Sequence, residues 1–255
     1  MPRGAALERP SIRAVAIVPA RLGSVRLPRK MLLAESGLPL IVHTLQNVRR
    51  CAAFQRIVVA ADDAEVVAAV VRAGGETVMT RVDHVSGTDR VHEAACAIDA
   101  ASFDVVVNVQ GDEPELAPED LLRLVAVFAD RDVEAATLCG RFGDADEARA
   151  TQTVKVVRDA RGNALYFSRS LIPHRADDPS RAYARADADP WLEVVRRHIG
   201  VYAFRPSALA AFVATPRGVL ERLENLEQLR WLEVGRRMRV VEASNVPLGI
   251  DTRAD

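Results

Sequence analysis

The residues best suited to chemistry sit in two short runs and one distant turn. The first run, Pro19-Ala20-Arg21-Leu22-Gly23-Ser24-Val25-Arg26-Leu27-Pro28-Arg29-Lys30, carries four cations and no acidic residue. It follows the apolar stretch Ala14 to Val18, whose pattern predicts a first buried strand. Loops at the carboxyl ends of such strands are where open α/β sheets bind ligands. Arginine forks and a lysine point charge suit a polyanion, most simply a nucleoside triphosphate. A solvated basic loop would have the same composition and is the competing reading. The second run, Val109-Gln110-Gly111-Asp112-Glu113-Pro114, follows the most β-branched strand, Val105 to Val109. A carboxylate there is costly unless paired or metal-bound. Gly111 lets the backbone approach a ligand closely. Asp112 is therefore a candidate Mg²⁺ ligand, since that ion takes a carboxylate together with substrate phosphates; an acidic turn is the plainer alternative. A second carboxylate must come from a distant segment, and Pro247-Leu248-Gly249-Ile250-Asp251-Thr252 offers Asp251, otherwise a turn residue or helix cap.

The elements that would hold these residues alternate between strand and helix through the first half, which predicts an α/β fold with a largely parallel sheet. Ile57 to Ala60 reads as a strand, Ala64 to Arg72 as a helix stopped by Gly74-Gly75, and Thr77 to Met79 as a short strand. The polar turn Asp83 to Arg90 opens a helix to about Ala100, and Pro118-Glu119-Asp120 begins another. In the second half, Thr153 to Val157 and Leu165 to Ser168 flank Asp159-Ala160-Arg161-Gly162-Asn163, the pattern of an antiparallel hairpin. Residues 174–190 read as an exposed, mobile loop. Leu220, Leu223, Leu226 and Leu229 predict one helix closed by Gly235, and Arg239 to Val241 a late strand. The expected organisation is a flexible extension over 1–12 and a single α/β domain over 13–255, with about 153–205 forming a lateral hairpin subdomain.

Bulk properties exclude several classes. The chain has 255 residues, a formal net charge of -1 and 49% hydrophobic residues, which is globular and offers no global basic field for nucleic acid. No apolar stretch approaches the roughly 18–20 residues that cross a membrane, and Met1 to Ile12 lacks the apolar core of a signal peptide. Cys51, Cys96 and Cys139 are scattered, outside any ligand spacing; each is read as a core residue of a reducing compartment, hence a cytoplasmic protein. Neither a Walker phosphate loop nor a G-x-G-x-x-G turn is present.

Arg21, Ser24, Arg26, Leu27, Pro28 and Lys30 match the PAR-x-x-S-x-RLP-x-K loop of the sugar-acid cytidylyltransferases. The chain most closely resembles the 3-deoxy-manno-octulosonate (KDO) cytidylyltransferases, from Ala14 to Thr252. Q-G-D-E-P and G-(V/I)-D-T are hallmarks of that family. His84 to Arg90 resembles its H-x-SGT-(D/E)-R segment, Tyr166 to Arg169 its YFSR, Arg197 to Tyr202 its RH-(L/I)-G-(I/V)-Y, and Leu223 to Arg230 its E-x-LEQLR. Two departures stand out. The family usually has Gly-Lys-Pro where this chain has Arg29-Lys30-Met31, and it usually continues past G-x-D-T with a helix where this sequence stops at Asp255.

The resemblance implies a Rossmann-like nucleotidyltransferase fold with a mostly parallel central sheet and a small antiparallel lateral or dimerisation subdomain. It implies cytidylyl transfer from CTP to KDO, giving CMP-KDO and pyrophosphate for lipopolysaccharide biosynthesis, in a homodimer. Arg21, Lys30, Asp112 and Asp251 would be catalytic, with Mg²⁺ on Asp112 and Asp251. Ala20, Arg21, Ser24, Arg26, Lys30, Ser86, Gly87, Thr88, Arg90, Gln110 and Gly111 would meet the nucleotide. Gln110, Arg169, His198, Tyr202, Glu227 and Gln228 would meet the sugar. The alternatives are a cytidylyltransferase for another 2-keto sugar acid, an 8-amino KDO or a nonulosonate, and a non-catalytic CTP-binding homologue.

Overall fold

In the computed structural model, which describes residues 12–24, 27–174, 176 and 194–255, the first apolar run becomes β1 (Ala14–Ala20), buried except at Pro19. Its alternate residues face opposite ways, as strand geometry requires. Ala14, Ala16, Val18 and Ala20 pack with α1 (Leu40–Val48), α2 (Ala64–Arg72) and α4 (Pro118–Ala126) through Ile41, Leu45, Val66, Val70, Leu121 and Leu124. Val15 and Ile17 pack on the other face with α3 (Gly87–Ala97) and α6 (Pro206–Ala214) through Val91, Ala94, Leu209 and Phe212. A central sheet covered on both faces explains why its strands read as continuous apolar runs.

That sheet also contains β2 (Phe54–Ala61), β3 (Glu76–Met79), β4 (Val105–Asn108), β5 (Ala135–Gly140), β8 (Arg196–Phe204) and β9 (Arg239–Glu242), in the order β3-β2-β1-β4-β8-β5-β9. β1 runs parallel to β2 and β4, β2 to β3, and β5 to β9. β8 lies antiparallel between β4 and β5. The expected hairpin is β6 (Lys155–Arg158) and β7 (Ala164–Ser168), and β6 pairs with the start of β8. The α/β fold with a mostly parallel centre and an antiparallel flank is as expected.

Local chemistry sets most boundaries. Asp63 caps α2 by accepting from Glu65 N at 2.7 Å, and Gly74, at φ 68°, ends it. Ser86 and Asp89 form a capping box on α3. α3 stops at Ala97 rather than Ala100, because Asp99 turns left-handed into a 3-10 turn over Ala100–Ser102. The leucine series is not one helix. α7 (Val219–Glu224) ends at Asn225, which takes φ 53°, and α8 (Leu229–Glu233) starts afresh. Leu226 and Leu229 are buried while Leu223 is 78% exposed, so the four leucines never shared one face. Gly235 closes α8 as expected. A short helix α5 (Ala145–Arg149) packs Ala148 beside Phe142 and Val195. Cys51 and Cys139 are core residues, but Cys96 is exposed on α3, so its expected burial is corrected. Most of the expected N-terminal extension (1–12) and mobile loop (174–190) lies outside the described residues, at 1–11, 175 and 177–190. Among the described residues, no helix is long and apolar enough to cross a membrane.

Trp231 anchors the second core. It is fully buried, 5.9 Å from the Phe212 ring and 6.4 Å from Phe204, and its Nε1 donates to Arg237 O at 2.9 Å. Trp231→Ala is expected to cost about 3–5 kcal/mol, read as a lowered urea midpoint at unchanged m-value.

Candidate active site

The basic loop leaves β1 at Ala20 and is pinned to the end of β2, where Asp62 Oδ1 accepts from Leu22 N at 2.9 Å. Leu27 and Met31 are buried and hold its far end. Between them Arg29 adopts φ 57°, the left-handed region that glycine enters freely, and starts a 3-10 turn over Lys30–Leu32. The family's usual glycine fits that backbone. Arg29 instead sends its guanidinium outward to Glu65 at 2.6 Å. Its charge therefore does not join the cleft.

Lys30 points inward. Its Nζ lies 2.6 Å from Asp112 Oδ2 and 3.0 Å from Asp251 Oδ1. Asp112 follows β4 through a turn fixed by Val109 N donating to Ile17 O at 3.1 Å and Thr44 Oγ1 donating to Gly111 O at 2.7 Å. A Cβ on Gly111 would lie 2.9 Å from Pro19 O and 3.0 Å from Met31 Sδ, so only glycine lets this turn meet the basic loop. Asp251 arrives from the C-terminal segment, where Ile250 N donates to Asp112 O at 2.9 Å. That segment is anchored upstream by Ser244, whose N and Oγ both donate to the buried Asp120 carboxylate on α4, the Oγ at 2.9 Å.

These groups line a cleft of about 330 Å³. Of the expected nucleotide contacts, Arg21, Ser24, Lys30, Ser86, Gly87, Arg90, Gln110 and Gly111 face it, together with Asp112 and Asp251. Ala20 and Thr88 are buried and are not part of its lining, and Arg26 falls outside the described residues. Arg90 forms a wall rather than a free hand: Nη2 donates to Asp62 at 3.0 Å, and Nη1 to Thr80 Oγ1 at 2.6 Å and Arg81 O at 3.1 Å. Pro19, Met31, His84 and Val85 complete the lining.

A second cleft, of about 540 Å³, adjoins the first at Asp251, which lines both. β8 supplies His198 and Tyr202, and the turn before α8 supplies Gln228. Tyr202 Oη donates to Gln228 Oε1 at 3.1 Å. The His198 ring stands edge-on to Phe167 at 5.0 Å, with Nε2 2.9 Å from Thr137 Oγ1. Burial pushes the His198 pKa down to about 3, so the imidazole is neutral at pH 7. Two expected sugar contacts lie elsewhere. Arg169 donates to backbone carbonyls, Nε to Glu224 O at 2.8 Å and Nη1 to Thr151 O at 3.1 Å, and lines neither cleft. Glu227 turns away from its neighbour Gln228, because adjacent residues of a helical turn point about 100° apart. It accepts from Thr88 Oγ1 at 2.5 Å, and burial raises its pKa. Thr88 in turn accepts from Asn108, and Asn108 from Gln110, each at 3.2 Å, so Gln110 ends a polar chain behind the first cleft.

Two charged lining residues beside the singled-out positions had no role in the sequence reading. Glu113 and Arg197 both face the second cleft. Burial, with Asp112 and Asp251 nearby, pushes the Glu113 carboxyl up to about 7, against the pull of Arg197. Both stand beside residues that were singled out, in the same motifs. The signal was present, but only the fold shows which way a side chain faces.

Among the described residues, no group of three or more His, Cys, Asp or Glu could hold a metal by itself. Asp112 and Asp251 nonetheless fit a divalent cation of the Mg²⁺ type. They present hard oxygens from two segments, and an ammonium already bridges them. Phosphates and water commonly complete such a shell.

The family model described as Cytidylyltransferase matches residues 15–238, and the chain belongs to that class. A 3-deoxy-manno-octulosonate cytidylyltransferase of Bradyrhizobium sp. (strain ORS 278) is 42% identical over 244 residues, covering 94% of this chain and 92% of the relative. One from Nitratidesulfovibrio vulgaris (strain DP4) is 46% identical over 241 residues, covering 94% and 91%. Within its class, the chain belongs to the 3-deoxy-manno-octulosonate cytidylyltransferase family. The solved structure of a CMP:2-keto-3-deoxy-manno-octonic acid synthetase complexed with CTP superposes with a TM-score of 0.84 at 39% identity, covering 95% of this chain and 94% of that one. A 4-diphosphocytidyl-2C-methyl-D-erythritol synthase from Anaerococcus prevotii DSM 20548, with a TM-score of 0.63 at 16% identity and covering 96% and 93%, shares the fold alone.

The neutral His198 has a consequence for stability. A histidine whose folded pKa lies below its unfolded value of about 6.5 loses stability as pH falls, because only the unfolded chain takes up the proton. Between pH 7.5 and 4.5 the native protein should lose about 3 kcal/mol relative to His198→Gln. Urea midpoints of both proteins at the two pH values measure the difference.

Proposed function

We propose that the protein transfers a cytidylyl group from CTP to the anomeric hydroxyl of KDO, giving CMP-KDO and pyrophosphate. The observation that carries this reading is the junction of two clefts at Asp251, with Lys30 buried between Asp251 and Asp112. A donor in one cleft and an acceptor in the other would meet where charge must be neutralised.

Arg21, Ser24 and Lys30, with Arg26 in support, hold the triphosphate and the departing pyrophosphate through charge-assisted hydrogen bonds. Ser86, Gly87, Gln110 and Gly111 offer hydroxyl, amide and backbone groups to the base and ribose. In the acceptor cleft Arg197 supplies a fork suited to the sugar-acid carboxylate. Neutral His198, Tyr202, Gln228 and Glu113 supply donors and acceptors for hydroxyls. Arg169 and Glu227 act from behind this wall by fixing Glu224, Thr151 and Thr88. Bound between Asp112 and Asp251, Mg²⁺ would polarise the α-phosphate and lower the pKa of the attacking hydroxyl. Everything else the protein contributes is in-line positioning and fixed charge.

The wider reading follows the family resemblance. Residues 13–255 act as one domain, with 153–205 as the sugar-binding and dimerisation part. Exposed Leu165 and Val194 lie in that part and offer apolar surface to a homodimer. The enzyme would work in the cytoplasm, supplying activated KDO for lipopolysaccharide.

The test is pyrophosphate release from CTP and Mg²⁺ with KDO, an 8-amino KDO or a neuraminate as acceptor. KDO-dependent release is expected; release only with another sugar acid would change the substrate, and none with any acceptor would leave a CTP-binding homologue. Asp112→Asn should lower kcat by about 10²-fold or more, the size of a lost electrostatic stabiliser. Near-normal turnover would remove Asp112 from the mechanism.

A further inference from the structure

We propose that Lys30 is the resident counter-cation of the metal site. In the nucleotide-free protein its ammonium occupies the space between Asp112 and Asp251 and keeps a divalent cation out. An incoming triphosphate draws it off and opens the site. This rests on the reading of Asp112 and Asp251 as the metal carboxylates, and it adds the order in which the site fills.

The geometry points this way at three levels. One Nζ serves both carboxylates, at 2.6 and 3.0 Å, so the ammonium and a cation shared by the same oxygens compete for one place. The charges also fit. Two carboxylates and one ammonium leave a net single negative charge, a poor site for a divalent ion; without the ammonium the site carries two and matches it. Finally, the lysine can move without its backbone. Its main chain is tied by Lys30 N donating to Leu27 O and Leu33 N donating to Lys30 O, each at 3.2 Å, with Met31 buried beside it. The flexible four-carbon stem is the free element. All three side chains line the cleft; Lys30 is 9% exposed, whereas Asp112 and Asp251 are 30% and 44% exposed, so the ammonium is the most shielded of the three charges. Arg21 and Ser24 line the same cleft, so phosphates held there lie on its open side. Phosphate oxygens are the replacement partners that let Nζ leave. Triphosphate and metal binding are therefore positively coupled, each raising the other's affinity by the same factor.

The experiment titrates Mn²⁺ into nucleotide-free protein and reads free Mn²⁺ by electron paramagnetic resonance. It compares wild type, Lys30→Gln, Lys30→Met, and Lys30→Gln combined with Asp112→Asn, each first shown folded by its thermal melt. Weak binding is expected in wild type. Binding should be at least tenfold tighter in the single Lys30 variants, and that gain should vanish in the double variant. Equal affinity in wild type and Lys30→Gln overturns the proposal. So does tight binding by nucleotide-free wild type that Asp112→Asn abolishes, a result that needs no Lys30 variant to fold. If no Lys30 variant binds Mn²⁺ while wild type still releases pyrophosphate with KDO, this proposal fails and cytidylyl transfer stands. Absence of KDO-dependent release fails the transfer reading instead, whatever Mn²⁺ does.

Discussion

A single buried ammonium draws together three segments that are far apart in the chain. Lys30 comes from the loop after β1, Asp112 from the turn after β4, and Asp251 from the C-terminal segment. Charges are tolerated in such a place only when paired. The loop, the turn and the tail must therefore arrive in register. Several features in and around the cleft serve that end: Gly111 allows the turn to touch Pro19, Asp62 ties the basic loop to β2, and Asp120 holds the tail at Ser244. The same requirement explains why β1 and β4 are adjacent, since parallel neighbours end side by side and deliver their following loops to one edge.

β8 adds the second half of the site. It runs antiparallel between two strands and is long enough to pair with β4, β5 and β6. One element thus continues the central sheet at Tyr202 and carries His198 and Arg197 into the second cleft. Its polar residues sit among Thr137, Phe167 and Gln228, where hydrogen bonds and ring contacts fix each side chain. A neutral imidazole and an intact phenol suit recognition of hydroxyls, whose partners must both donate and accept.

The departure at Arg29 shows how a loop can absorb a changed residue. The backbone keeps the left-handed turn that a glycine would take, and the new side chain is sent to Glu65 on α2. Its charge stays outside the cleft. Arg169 and Glu227 show the converse. They occupy motif positions, yet in this conformation both face the scaffold, and they support the cleft wall rather than form it.

The sequence by itself determined the α/β class, the strand-loop pairs that carry Lys30 and Asp112, and most caps and stops around them. These follow from local rules: buried strands are apolar runs, Ser86 and Asp63 cap helices, and Gly74 ends one. Family motifs extended that reading to Asp251, His198, Tyr202 and Gln228. Tertiary structure alone decided the rest. Ala135–Gly140 carries no periodic signal, and its place between β8 and β9 is a matter of pairing partners. The leucine series broke at Asn225 because a left-handed residue outweighs an apolar spacing. Which of two neighbours faces a cleft, Glu227 or Gln228, depends on how their turn is rotated about its axis, since they point about 100° apart. The meeting of Lys30 with Asp251 depends on closing most of the chain into one loop. No local pattern encodes either, because both are set by how distant surfaces pack.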